Sequence, residues 1–235
     1  MSAHEHVVTA HASDLVVGYG DTAVLSSVNF ELRRGVTALL GRNGGGKTTL
    51  MRTICGVIRA LGGKCTVLGA QVADGAAVRS RVGYLGHESA LASALTVQQN
   101  LEFWRDITST YPGAILAPIA ELVERFDLSP LLSKRVKSLS RGQQRRADLA
   151  RLAMTDPEFV VLDEPLTGLD PVYAARTREL LRTWGETRTV LYSTHSVPEA
   201  LELARDHLAV TGTSVVALGA DVTESMILDV LESDR

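Results

Sequence analysis

Short apolar runs alternate with longer mixed segments along the whole chain. Leu15–Tyr19 and Val28–Leu32 have strand length and β-rich composition, and Val36–Leu40 is a continuous apolar run. Turn residues Gly20-Asp21 and Arg34-Gly35 separate the three. Close strands with short connections predict an antiparallel N-terminal meander, and the unbroken run Val36–Leu40 predicts a strand buried on both faces. Thr48–Gly56 then reads as a helix, followed by strands at Cys65–Leu68 and Arg81–Leu85. From about Leu95 to Thr155 the pattern turns helical, with amphipathic stretches at Val97–Ile107, Ile119–Phe126 and Gly142–Met154. Pro118 suits the first turn of the second. Buried-strand character returns at Phe159–Leu162 and Thr189–Ser193, on either side of a helix at Tyr173–Trp184. Leu208–Val210 and Val215–Leu218 flank Thr211-Gly212-Thr213, a predicted hairpin, and an acidic helical tail follows from Asp221 to Arg235.

Strands alternating with helices imply an α/β fold with a largely parallel sheet. Residues 13–86 and 157–220 read as one α/β core with an antiparallel β subdomain, 87–156 as an inserted α-helical lobe, and 221–235 as a helical tail. There is no internal repeat. Composition adds exclusions. The 235 residues are 45% hydrophobic with a mean hydropathy of +0.09, ordinary for a soluble domain. A formal net charge of -3 and a pI near 6.1 argue against a nucleic-acid binder. The weakly charged stretch 111–120 is short and broken by Pro112 and Pro118, so no transmembrane span is expected. Residues 1–12 are polar, without the apolar centre of a signal peptide, and a cytosolic chain is expected. His4, His6 and His11 read as part of a frayed terminus rather than a metal site. Cys55 and Cys65 lack partners at metal-ligand spacing and read as reduced structural thiols.

Two segments suit phosphate. Gly41-Arg42-Asn43-Gly44-Gly45-Gly46-Lys47-Thr48 fits G-x-x-x-x-G-K-[ST], with a predicted buried strand before it and a helix after. Glycines there let successive N–H groups face one concavity at a helix N-terminus. Lys47 would reach the β- and γ-phosphates, and Thr48 would offer its hydroxyl to Mg²⁺. Asp163-Glu164 ends a predicted strand, where ligands of parallel sheets collect. Asp163 would then lie near the Mg²⁺ held by Thr48, and Glu164 could orient the attacking water. Leu139-Ser140-Arg141-Gly142-Gln143 opens a helix with a hydroxyl, a glycine and free N–H groups, a second anion site that is weaker on its own.

Taken together these residues resemble the nucleotide-binding subunit of ABC transporters over nearly the whole chain. Residues 41–48 match the Walker A loop, and Leu139–Gln143 resembles LSGGQ with Arg141 in place of one glycine. Asp163 and Glu164 match Walker B and the catalytic glutamate, Gly168-Leu169-Asp170 looks like the D-loop, and Ser193-Thr194-His195 carries the switch histidine. The resemblance implies that Tyr19 stacks on adenine. It implies that Gly41, Asn43, Gly44, Gly45, Gly46, Lys47, Thr48 and Thr49 hold ATP, with Mg²⁺ on Thr48 and Asp163. Lys47, Glu164 and His195 would carry catalysis. Ser140, Gly142 and Gln143 would contact the nucleotide of a second ATPase subunit, most simply an identical copy, in a head-to-tail dimer.

The same resemblance implies a separate transmembrane permease, touched by the lobe around 87–111 at the cytoplasmic face of the membrane, and no nucleic acid. The family's glutamine after the strand around Val82 is replaced by His87 or, with a one-residue shift, Glu88. Tyr84-Leu85-Gly86-His87 resembles the haem-exporter type of cytochrome c maturation, which points to export. The competing expectation is a non-transport ATPase of the same superfamily acting on nucleic acid or ribosomes. It rests on residues 131–151, where Lys134, Arg135, Lys137, Arg141, Arg145, Arg146 and Arg151 face Asp148 alone. A solvated helix face explains that charge excess more simply.

Overall fold

A computed structural model of the chain describes residues 8–111, 114–219 and 221–233. Strands β1 (Val8–Tyr19) and β2 (Thr22–Arg33) form a long antiparallel hairpin around the turn at Gly20-Asp21. Further along the chain, β4 (Gly62–Val67) pairs with the other edge of β1, and the two-residue β5 (Ala70–Gln71) closes a four-stranded sheet of order β2-β1-β4-β5.

The predicted three-stranded meander stops at two. Strand β3 (Gly35–Leu40) leaves the hairpin and enters a second sheet, parallel to its neighbours. The reason is visible in its burial. Val36, Ala38 and Leu40 pack on one side of that sheet and Leu39 on the other, so the run needs cover on two faces. The frayed-terminus expectation also fails from Val8 onward. Val8–Ala12 belong to β1, with Ala10 and Ala12 buried and His11 exposed between Glu31 and Thr66 on the flanking strands. His4 and His6 lie outside the described residues. No cluster of His, Cys, Asp or Glu suited to a metal occurs among the described residues.

The second sheet has six strands. Its remaining members are β6 (Val82–Leu85), β7 (Phe159–Leu162), β8 (Thr189–Thr194), β9 (Asp206–Thr211) and β10 (Ser214–Leu218), in the order β10-β9-β3-β8-β7-β6. All neighbours are parallel except the β9–β10 hairpin. Alternate residues of the central strands feed two cores. Phe159, Val161 and Leu191 face the antiparallel sheet and helix α1 (Lys47–Ile54), while Val160, Leu162, Val190 and Tyr192 face the opposite side. That side is covered by α5 (Arg141–Ala153), α6 (Pro171–Thr187) and α7 (Val197–Leu203). Two further helices, α3 (Val97–Ser109) and α4 (Ile119–Arg125), pack on α5. The chain also has a short α2 (Ala76–Arg79) and a terminal α8 (Glu224–Glu232).

Segment 95–155 is less helical than its pattern predicts. It breaks after α4 into 3₁₀ turns at Ser129–Leu131 and Val136–Ser138. Pro118 precedes α4 as its cap rather than entering the first turn. The reading of residues 131–151 as a solvated basic face is corrected within α5. Arg145 and Arg146 are 8% and 9% exposed, and the Arg151 side chain 12%. Arg146 stacks over Tyr173 at 3.7 Å, and Arg151 pairs with buried Asp148. That removes three of the cations on which the nucleic-acid expectation rested. Among the described residues no helix is long and apolar enough to cross a membrane.

Candidate functional site

Strand order places the site. Because β8 lies between β3 and β7, the segments leaving the carboxyl ends of these three strands converge. They are the glycine loop 41–46, Asp163-Glu164, and Thr194-His195.

The loop after β3 is shaped by backbone that other residues resist. Gly46 takes φ +99° immediately before α1, and a Cβ there would lie 2.9 Å from Val24 Cγ1 and 3.0 Å from Leu25 Cγ. No side chain caps the first turn of α1, so its N–H groups face the loop. Lys47 is only 6% exposed and folds back, donating from Nζ to the carbonyls of Gly41 at 2.7 Å and Arg42 at 2.9 Å. Burial lowers its pKa, and the nearby carboxylates of Glu164 and Asp163 work against that shift.

Thr48 Oγ1 donates to Asp163 Oδ2 at 2.6 Å, and Ser193 Oγ donates to Asp163 Oδ1 at 2.6 Å. Thr48 and Asp163 together are a pair of hard oxygen donors beside the phosphate loop, the donor type that Mg²⁺ takes. Glu164 follows with φ +47°, a left-handed backbone that costs an L-residue about 1–2 kcal/mol. Its N–H donates to Ser193 Oγ at 2.9 Å, and its Oε2 accepts from Thr167 Oγ1 at 3.2 Å. His195 Nδ1 lies 3.8 Å from Glu164 Oε1, with the His195 side chain 59% exposed and that of Glu164 only 16%. The helix after His195 is capped by Ser196, which accepts from Glu199 N at 3.3 Å, so the histidine is free of a capping role.

Tyr19 ends β1 and is 49% exposed, an open aromatic face. Ser140 caps α5 in a reciprocal box. Its Oγ accepts from Gln143 N at 3.2 Å, and Gln143 Oε1 accepts from Ser140 N at 3.1 Å. Among the described residues no hydrogen bond joins 140–143 to 41–48. Gly142 sits against the 168–170 turn; a Cβ there would be 3.2 Å from the Gly168 carbonyl oxygen. Asp170 caps α6, accepting from Val172 N and Tyr173 N.

At the segment after β6, His87 Nε2 and Arg141 Nη2 are 2.9 Å apart. Arg141, which stands in place of a glycine of the family pattern, therefore touches His87, one of the two candidates for the glutamine position. Both line a cleft of ≈ 460 Å³ that also reaches Glu88, Arg145, Glu164 and Thr167. The sequence does not single out Thr167, and it offers Ser193 only as part of the string ending in His195 and Arg145 only among the basic residues of 131–151. Ser193 stands two places before His195, which is the one local hint. Arg145 carries none, because a basic residue on a polar helix reads as solvated.

The ABC transporter family model matches residues 25–167. The chain is 40% identical over 204 residues to the daunorubicin resistance ATP-binding protein DrrA3 of Streptomyces coeruleorubidus, covering 86% of this chain and 65% of that one. The chain thus spans less than two thirds of that relative. It is 34% identical over 203 residues to the cytochrome c biogenesis ATP-binding export protein CcmA of Agrobacterium fabrum, covering 86% of this chain and 94% of the relative. A solved ATP-binding subunit of an ABC transporter superposes with a TM-score of 0.82 at 22% identity, over 96% of this chain and all of that one. At that identity the likeness shows the fold.

Proposed function

The chain belongs to the ABC transporter family, on the ATP-binding side, and we propose that it binds and hydrolyses ATP to drive a separate membrane permease. The observation that carries this reading is the convergence of Lys47 and Thr48 with Asp163 and Glu164 beyond the carboxyl ends of β3 and β7, on either side of β8. Export is the direction supported by the Tyr84–His87 string and by the cytochrome c export relative.

Lys47 exchanges its two carbonyl partners for β- and γ-phosphate oxygens, and its burial concentrates that charge on the nucleotide. Gly41, Asn43 and Gly44–Gly46 line the phosphates with backbone N–H groups, Thr49 continues the cradle into α1, and Tyr19 stacks on the adenine. Thr48 and Asp163 hold Mg²⁺, which when bound neutralises part of the triphosphate charge. Glu164 orients the attacking water, with Thr167 fixing its carboxylate. His195 holds the γ-phosphate from the end of β8.

Ser140, Gly142 and Gln143 act on the nucleotide of a second copy, so the dimer has two composite sites. Exposure of Ser140 and the lack of any bond from 140–143 to the glycine loop support that division of labour. The permease docks on the helical segment around residues 87–111, which puts the chain on the cytoplasmic face of the membrane.

The test is Glu164→Gln. ATP binding is retained, steady-state hydrolysis falls by about 10²–10⁴-fold, and an ATP-bound dimer accumulates in size-exclusion chromatography. Unchanged turnover would remove Glu164 from the mechanism. Affinity capture from native membranes that recovers no membrane-embedded partner would count against the transporter reading.

A further inference from the structure

The peptide unit between Asp163 and Glu164 is gripped on both edges. Its carbonyl oxygen accepts a hydrogen bond from Arg145 Nη2. Its N–H donates to Ser193 Oγ at 2.9 Å. The grip matters because Glu164 is left-handed at φ +47°. Glycine and asparagine visit that region readily, whereas a longer side chain stays there only where its surroundings over-determine the backbone.

Arg145 reaches this peptide from inside α5, five positions after the Ser140 cap. Its other terminal nitrogen donates to the Gly86 carbonyl at 2.6 Å. Three residues on, Asp148 accepts from Ala90 N at 3.2 Å, and three further on, Arg151 donates to the Tyr84 carbonyl at 3.1 Å. Positions spaced by three along a helix share a face. That face of α5 is therefore bonded to residues 84–90 and to the end of β7 together. Desolvation lowers the pKa of the buried Arg145 guanidinium, and Asp148 and Asp163 nearby work against that shift.

We propose that Arg145 is a positioning residue that ties the direction of α5 to the aim of the Glu164 carboxylate. The first turn of α5 meets the nucleotide of the second copy, and its second turn holds the backbone of the residue that orients water in its own copy. One rigid element thus touches both composite sites, and Arg145 couples them through a guanidinium with two carbonyl acceptors on different segments. The geometry stands on the structure; its catalytic consequence rests on the ATPase reading above. A lysine offers a point charge in place of the planar fork and reaches only one acceptor well.

The experiment uses the full chain with Arg145→Gln and Arg145→Lys. Amide hydrogen exchange is read by NMR in the nucleotide-free protein. In Arg145→Gln the Glu164 amide exchanges about tenfold faster or more, while the β8 amides keep their protection; Arg145→Lys falls between. In steady-state hydrolysis kcat drops by a similar factor at unchanged half-saturating ATP, and cooperativity between the two sites is lost. Unchanged exchange at Glu164 overturns the proposal whatever hydrolysis does. Acceleration spread evenly across β7 and β8 also overturns it, because Arg145 would then be a packing residue. A wild-type chain that exchanges as expected but hydrolyses no ATP would refute the ATPase reading and leave the Arg145 grip in place.

Discussion

Thr48 Oγ1 and Asp163 Oδ2 are 2.6 Å apart although 115 residues separate them in the chain. Asp163 Oδ1 is held by Ser193 at the same distance, so the carboxylate is fixed from helix α1 and from strand β8 before any ligand arrives. Pre-set oxygen donors of this kind lower the cost of assembling a site on binding.

Asp163→Asn keeps the shape of the side chain and removes its charge. One of its two hydroxyl donors, Thr48 or Ser193, then faces an amide N–H₂ instead of an acceptor. Mg²⁺-dependent affinity for a non-hydrolysable ATP analogue should fall about tenfold to a hundredfold, with Mg²⁺-independent binding little changed. Isothermal titration with and without Mg²⁺ checks this, and equal losses in both conditions would assign Asp163 a purely structural role.

Lys47→Met tests the folded-back lysine. The variant leaves the Gly41 carbonyl without its lysine donor and the Arg42 carbonyl with the Gly45 N–H alone in a part-buried loop, at about 1–3 kcal/mol. The nucleotide-free protein should melt several degrees lower and ATP should no longer raise its Tm. A variant that melts like the wild type would show that water replaces the ammonium at no cost.

Ser140 has two tasks, and substitutions can separate them. Ser140→Ala removes the cap of α5, costing about 1 kcal/mol, along with any contact to the second copy's phosphate. Ser140→Asn keeps the cap and alters the group presented outward. The asparagine variant should melt like the wild type, bind ATP as a monomer, and fail to dimerise with ATP in analytical ultracentrifugation. ATP-driven dimerisation at full strength in both variants would contradict the composite site.

Burial sets the behaviour of the thiols. Cys65 is pushed up to about 12 by desolvation, and Cys55 is raised by its own burial and then by Cys65. At pH 8 the native thiolate population is then roughly a thousandfold below that of a free thiol. Alkylation by iodoacetamide should be slow in the folded chain and fast after denaturation. The linkage has a definite sign. The unfolded thiols ionise near their ordinary value of 9.0 while the folded ones keep their protons. Stability is therefore full below about pH 9 and falls as pH rises toward 12, by about 1.4 kcal/mol per unit per thiol. Denaturant midpoints at pH 8 and pH 10, compared with those of a Cys55→Ala/Cys65→Ala double variant, measure that slope. Equal slopes in the two proteins would place the titration elsewhere.

Much of the site is legible before folding because each piece has a local physical requirement. The glycine loop needs φ values that Gly44 and Gly46 supply, and a strand and a helix on its flanks. Asp163-Glu164 ends an apolar run of strand length. The cap Ser140 and its partner Gln143 are spaced as a capping box demands. His87 and Arg141, by contrast, read as separate departures from a pattern, and only the fold shows them paired.

Read along the unfolded chain, the residues already mark which segments are strands buried on two faces, where the chain turns to meet phosphate, and which carboxylates end a strand beside it. These follow from periodicity and from backbone preferences acting over a few residues. The tertiary structure decided the order β3-β8-β7, and with it the meeting of Thr48, Asp163 and Ser193. It also moved β3 out of the N-terminal hairpin and turned Arg145 from a helix-surface cation into a buried donor to the Gly86 and Asp163 carbonyls. The reason is one of range. An apolar run specifies that it must be covered but not by which strand, and a charged side chain looks solvated until distant backbone supplies the acceptors that let it be buried.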